Sequence, residues 1–416
     1  MLAAMRVIHT SDWHLGHSLR SEVTREYEHH AFLTWLLETC TREVADALVI
    51  TGDVFDSATP PASAEKMWFE FLAAARKARP SMDVVAIAGN HDSPARLGAA
   101  SAVLRELGVH VIGGLPRRAD GAIEMDRVLI PIAGGRGLVA AVPFVRPIDA
   151  DVDDPLAAIY GEVIEAARAR RGANQALIVT GHLYMAGADA QFLSERRVSI
   201  GGQESAPLRL FPDDISYVAL GHIHRAQRVG RETIRYAGAP IALALDEASY
   251  KHQVLAIDFA DGQVTDMRPL LVPRVVDVMR VPGRGAAPLV EVLAELAALP
   301  SLSQQELAAD PARPFLEVVV ALDKPEPRLR SAIELALDGK RPRLVYLHVE
   351  QTGDRAALGD RVSARRLAEL DPRDVFVKLW ARDHRDPPTP AVLEAFDELL
   401  AEVRGDRDDA ATRRWS

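Results

Sequence analysis

The chain has 416 residues, 48% of them hydrophobic and 26% charged, the make-up of a globular protein of two or three domains. Forty-nine basic residues against 59 acidic ones leave a net charge of −10, which excludes a protein that grips nucleic acid by its overall field, because phosphate binding normally carries a basic footprint. A single cysteine, Cys40, excludes an internal disulfide and is expected as a buried, inert thiol, and no apolar run approaches the roughly 20 residues that span a bilayer.

Met1 to Arg6 leads straight into a strand-like segment without an apolar signal region, so a cytoplasmic chain is expected. That segment, Val7-Ile8-His9-Thr10-Ser11-Asp12-Trp13-His14, introduces a design that recurs: an apolar, strand-like run ends in a small residue, and Asp, His or Asn follows. It returns in Leu48-Val49-Ile50-Thr51-Gly52-Asp53 and, after an amphipathic helix predicted over Ala64 to Arg79, in Val85-Ala86-Ile87-Ala88-Gly89-Asn90-His91-Asp92. This alternation is an α/β pattern.

From Ala122 to Phe144, and again from Thr233 to Leu271, helical stretches vanish and strand-like runs predominate, which predicts extra sheet edges or a second sheet. Between them lie two more copies of the design, Leu177-Ile178-Val179-Thr180-Gly181-His182 and Val218-Ala219-Leu220-Gly221-His222-Ile223-His224.

Beyond Pro273 the character changes. Strands are predicted over Val275 to Val281, Leu316 to Leu322 and Leu344 to Val349, with helices over Leu289 to Leu299 and Leu329 to Leu337, a compact β-α-β-α-β unit. Pro282-Gly283-Arg284-Gly285 and the stretch from Ser301 to Pro314 read as its linkers. Two helical candidates follow, Ala364 to Ala381 and Ala391 to Val403, and then a charged end expected to be disordered. Their apolar positions, among them Leu367, Leu370, Phe376, Trp380, Leu393 and Phe396, suit packing on the chain's own body as well as docking a partner helix. The division expected is 1–274, 275–352 and 353–416.

Each strand-end motif alone is weak, since a Gly-Asp after a strand is usually a turn and a lone Gly-His usually a hydrogen-bonded histidine. Five together are another matter, because the carboxyl ends of parallel strands open into one crevice where residues far apart in sequence meet. The glycines ahead of them are expected to permit φ > 0 and turn the backbone sharply. Imidazole with carboxylate and amide oxygen is a donor set for manganese, iron or zinc, and seven such groups exceed what one ion uses, so two divalent ions are expected. Paired ions activate water for in-line displacement at phosphorus.

The order Asp-x-His, Gly-Asp-x-x-Asp, Gly-Asn-His-Asp, Gly-His and Gly-His-x-His resembles the calcineurin-like metallophosphoesterases in full. The resemblance implies a four-layer α-β-β-α sandwich in which Asp12, His14 and His224 hold one metal, Asn90, His182 and His222 hold the other, and Asp53 bridges them. His91 is implied as general acid or phosphate-binding residue, oriented by the Asp56 carboxylate, with Asp92 sharing that support. In archaeal and eukaryotic relatives a histidine often stands at the position of Asp56, so its role does not transfer directly.

The flanks Ser11-Asp12-Trp13-His14-Leu15-Gly16, Gly52-Asp53-Val54-Phe55-Asp56, Gly221 to Gln227 and Tyr236 to Ile241 are similar to those of the nuclease component of bacterial SbcCD complexes. That similarity implies manganese, DNA as substrate, a capping domain, C-terminal helices that bind an SbcC-type ATPase, and a homodimer within a heterotetramer. His17, Arg20, Arg96, Arg196 and Arg197 are candidate phosphate contacts. The competing readings are a phosphatase or cyclic-nucleotide phosphodiesterase with the same metals, and a DNA-binding scaffold that has lost catalysis.

Overall fold

The computed structural model describes residues 4–19, 23–150, 152–189 and 205–352, with isolated positions beyond. Met1–Gln351 forms one compact unit and Thr352–Ser416 a second. The two C-terminal helical candidates lie outside the described residues except at single positions such as Trp380 and Phe396.

Two six-stranded sheets build the larger part of the first unit. One runs, edge to edge, Gln263–Leu271, Gln253–Ala260, Met5–Thr10, Ala47–Thr51, Asp83–Ile87 and Val109–Ile112. The other runs Gln227–Val229, Arg231–Tyr236, Tyr217–Gly221, Ala176–His182, Gly137–Ala140 and Leu129–Ile132. The strands that carry the motifs pair in parallel within their own sheets.

Strict alternation explains the layering. Val7, Val49 and Val85 from one sheet meet Ile178, Tyr217 and Ala219 from the other in the core between the sheets. Their neighbours Ile8, Leu48, Ile50 and Val84 face outward onto helices Glu26–Arg42 and Ala62–Ala78, while Leu177, Val179 and Val218 face helix Pro155–Arg170. A strand buried on both faces has no polar side, hence the near-continuous apolar runs in the sequence. The result is the four-layer α-β-β-α sandwich.

Helix Glu26–Arg42 carries Phe32, Leu33, Leu36 and Cys40 on its buried face at helical spacing, with Glu26 and Glu28 in its first turn and Arg42 in its last, each favourable to the helix dipole. Trp13, fully buried, stands edge-on to Phe32, Trp68 and Phe71 with ring centroids 5.3 to 5.8 Å away, and its indole N–H donates to Thr10 Oγ1 at 2.9 Å. Each such aromatic pair adds about 0.5–1.5 kcal/mol beyond area burial. The loop bearing Asp12 and His14 is thereby pinned to the helix layer.

A third sheet, all parallel, centres on Phe315–Leu322, with Arg343–Gln351 on one side and Val278–Val281 then Ala287–Pro288 on the other. The stretch read as a linker holds a further helix, Gln304–Ala309, started by a capping box: Ser303 Oγ accepts from the Glu306 N–H, and the Glu306 carboxylate accepts from the Ser303 N–H at 2.8 Å. Among the described residues no helix is long and apolar enough to cross a membrane.

Two histidines in this core are buried without charge. His9 sits between the Tyr217 hydroxyl (2.9 Å) and Thr51 Oγ1 (3.0 Å), and His29 lies against the Trp13 carbonyl (3.0 Å). Burial lowers both imidazoles to about 3 from an ordinary 6.5. A depressed value means the unfolded chain takes up the proton first, so this stability is complete above about pH 6.5 and is lost as pH falls toward 3, at no more than about 1.4 kcal/mol per pH unit per group. The urea midpoint of the wild type is expected to fall faster between pH 7 and pH 4 than that of His9→Gln. Parallel curves would contradict this reading.

Candidate metal centre

All the motif residues gather at the carboxyl ends of the strands. Asp12 and His14 follow Met5–Thr10, Asp53 follows Ala47–Thr51, and Asn90 and His91 follow Asp83–Ile87, all on one sheet. On the other sheet His182 ends Ala176–His182, directly beside Gly221 in the register, and His222 and His224 come next after Gly221.

The backbone departs from the sequence expectation in an informative way. Left-handed φ occurs at the polar residues themselves: Asp12 (54°), His14 (48°), Asp53 (49°) and His222 (99°). Such conformations cost on the order of 1–3 kcal/mol each and persist only where surroundings impose them. Here the Asp12 N–H donates to the Gly52 carbonyl at 3.0 Å, the His14 N–H to the Asp53 carbonyl at 2.9 Å, and the His222 N–H to Asp12 Oδ1 at 2.9 Å.

Of the glycines ahead of these residues, Gly52 does adopt positive φ (90°), whereas Gly89, Gly181 and Gly221 do not. Those three supply space: a Cβ on Gly89 would strike the Asp53 carboxylate, and one on Gly221 the Thr51 carbonyl.

Three sets of ligand-capable atoms lie within 4.8 Å of one another: Asp12 with His14 and His224, His14 with Asp53 and His91, and Asp12 with Asp53 and His182. Asp53 is shared. Its Oδ2 is 3.5 Å from His14 Nε2 and 3.3 Å from His182 Nε2, while its Oδ1 accepts the His91 N–H at 2.8 Å. Asn90 Oδ1 lies 2.9 Å from both His182 Nε2 and His222 Nδ1 and so draws the remaining trio together.

Asp12 Oδ2 and His14 Nε2 are buried yet lack a hydrogen-bond partner. Unpaired buried polar atoms are costly, and a cation between them would satisfy both. The donor chemistry and these orphaned atoms fit a divalent metal.

The electrostatics point the same way. Burial opposes charge on Asp53, yet His182 and His14 hold its carboxyl well below the usual range. Burial also opposes charge on His182, but Asp53 and Asp12 push its imidazole up to about 9. Burial pushes His222 down to about 3, with His182 adding to the effect, and lowers His14. A carboxylate cluster that draws a proton onto a buried imidazole draws a metal cation in its place, and binding releases the proton.

The support of these groups differs in part from the sequence expectation. His91 Nδ1 donates to the Asp56 main-chain carbonyl at 2.8 Å, not to its carboxylate. That carboxylate turns instead to His14 Nδ1 (3.1 Å) and His17 Nδ1 (2.9 Å), and the two imidazoles hold it low against the upward pull of burial. Asp92 does not back His91 either: its carboxylate accepts from the N–H groups of Val54, Phe55 and Gly89, bracing two ligand loops, and burial with the nearby Asp53 charge pushes it up to about 6.

His17, a candidate phosphate contact, is tied inward to Asp56 and to the Leu243 carbonyl (2.8 Å), and Arg96 is exposed and paired with Glu65 at 3.0 Å. Arg20, Arg196 and Arg197 lie outside the described residues. The sequence reading missed Glu247, a fully buried carboxylate whose Oε1 lies 2.8 Å from His224 Nδ1. It sits in a short 3-10 turn, Leu245–Ser249, that carries no motif.

Residues 5–226 match the calcineurin-like phosphoesterase family, and residues 274–384 match the type 5 capsule protein repressor C-terminal domain. The chain is 39% identical to the D component of the nuclease SbcCD of Rhodobacter capsulatus, over 83% of its own length and 87% of that protein's. It is 36% identical to the Escherichia coli K12 protein of that name, over 65% of this chain and 68% of that one. The Bacillus subtilis protein of that name is 35% identical over 64% and 69% respectively.

Proposed function

Because the chain belongs to the calcineurin-like phosphoesterases and, within them, to the SbcD family of SbcCD nuclease components, we propose that it is a metal-dependent DNA nuclease working with an SbcC-type ATPase. It acts as a double-strand exonuclease and a single-strand or hairpin endonuclease in DNA repair and recombination, in the cytoplasm. The observation that supports this reading is the convergence of Asp12, His14, Asp53, Asn90, His182, His222 and His224 where Asp12 Oδ2 and His14 Nε2 are buried without a hydrogen-bond partner.

In this proposal two manganese ions occupy the site. Asp12, His14 and His224 would hold one, Asn90, His182 and His222 would hold the other, and Asp53 would serve both. When bound, the ions supply a nucleophile from water at neutral pH and neutralise charge growing at phosphorus. The chain's own residues do the rest. The Nδ1–H of His91, anchored on the Asp56 carbonyl, fixes the ring so that its opposite nitrogen holds the proton for the leaving oxygen. Asp56 is a positioning residue, by its carbonyl for His91 and by its carboxylate for His14.

Residues 1–274 serve as nuclease domain, 275–352 as a capping domain and 353–416 as the partner-binding region, with two copies in a heterotetramer. The net charge of −10 is then no obstacle, since the ATPase supplies much of the surface that holds DNA.

The test is a substrate panel. With Mn2+, the purified chain is expected to cut open-ended and hairpin DNA and to leave phosphopeptides and cyclic nucleotides intact. Hydrolysis confined to the small substrates overturns the nuclease reading.

A further inference from the structure

The imidazoles on the two sides of Asp53 are backed by different chemistry. His182 Nδ1–H rests on a main-chain carbonyl, that of Thr51 at 2.9 Å, and His222 Nδ1 faces its proposed co-ligand Asn90 and no carboxylate. His14 and His224, by contrast, each direct Nδ1 at a carboxylate, Asp56 and Glu247. A carboxylate behind an imidazole fixes its tautomer and raises its basicity as a ligand, and removing such a partner typically costs about 10–100-fold in metal affinity.

These two carboxylates are joined through Leu243 and His17. Glu247 Oε2 accepts the Leu243 N–H at 2.8 Å, and the Leu243 carbonyl accepts from His17 Nε2 at 2.8 Å. His17 Nδ1 in turn donates to the same Asp56 oxygen that faces His14. The path His224–Glu247–Leu243–His17–Asp56–His14 therefore runs behind two rings whose centroids are 5.2 Å apart. Leu243 takes part through its main chain, and each imidazole and carboxylate in the path is hydrogen-bonded to the next group.

We propose that Glu247 and His17 are positioning residues for one of the two cation positions, and that the position formed by Asp12, His14 and His224 is the tighter of the two and fills first. This rests on the two-cation reading above and adds to it an order of loading and two residues that no motif contains.

The experiment titrates the full-length, metal-stripped chain with Mn2+ and follows the free ion by its electron paramagnetic resonance signal, which reads binding without any assay of cleavage. The wild type is expected to show two classes of site. Glu247→Gln, which keeps the shape but can no longer accept two N–H groups, is expected to weaken the tighter class about 10–100-fold and leave the other unchanged. His17→Gln is expected to weaken the same class by less, and it stands in if Glu247→Gln does not fold, as judged by circular dichroism before metal is added. Unmoved constants in the folded variants, or a loss in the weaker class, overturn the proposal and leave the two-cation reading standing. Fewer than two ions on the wild type overturns both.

Discussion

Replacing His91 with alanine is expected to slow DNA cleavage by about 10²–10⁴-fold while the chain still takes up its metal. The residue adjoins Asn90 and lies beside His14 and Asp53, but it belongs to neither proposed trio. Its main-chain N–H, which the substitution keeps, donates to Asp53 Oδ1, so the shared carboxylate holds its place. What the substitution removes is the ring, whose centroid lies 4.8 Å from that of His14 and whose Nδ1 is committed to the Asp56 carbonyl. Single-turnover cleavage alongside a Mn2+ titration checks this. Full cleavage by the variant, or loss of its metal, removes His91 from the role of proton carrier.

Gly221→Ala is expected to be among the most damaging single methyl groups at the described glycines. The new Cβ would meet the Thr51 carbonyl, lie 2.9 Å from His182 Nδ1 and lie 3.0 Å from the Ser11 Cβ. Thr51 and Ser11 belong to one sheet and His182 to the other, so the methyl would wedge the sheets apart where the donors converge. Overpacking a tight core costs about 1–3 kcal/mol, and a rigid carbonyl that also anchors His182 places this site at or above the top of that range. Metal uptake should vanish with it. Gly161→Ala is the control: nothing lies within 4 Å of its added Cβ, and in the helix Pro155–Arg170 the change should stabilise by about 0.5–1 kcal/mol. Urea midpoints of the two variants check both signs. Equal effects would mean that the space at Gly221 is unimportant.

Much of this could be read in the chain before folding. The five strand-end motifs are local, and parallel pairing alone brings their ends together, so the convergence of their side chains was legible. The role of the glycines was legible only in part. A sequence marks a small residue, yet it does not say whether the need is positive φ, as at Gly52, or room for a neighbour, as at Gly89 and Gly221. Glu247 was not legible: it follows an irregular stretch without periodicity, and a buried carboxylate has the same letter as a solvated one. Asp56 misled for a related reason, because its main chain serves His91 and its side chain serves others. The helix Gln304–Ala309 was announced by Ser303 and Glu306, but six residues among prolines and polar groups give too little pattern to count.

The proposed mechanism centres on two cations meeting at Asp53, and anomalous diffraction at the manganese edge from crystals grown with Mn2+ tests for them directly. Two peaks about 3.5–4 Å apart are predicted, one against Asp12, His14 and His224 and one against Asn90, His182 and His222, with Asp53 touching both. A single peak away from Asp53, or none, would contradict it.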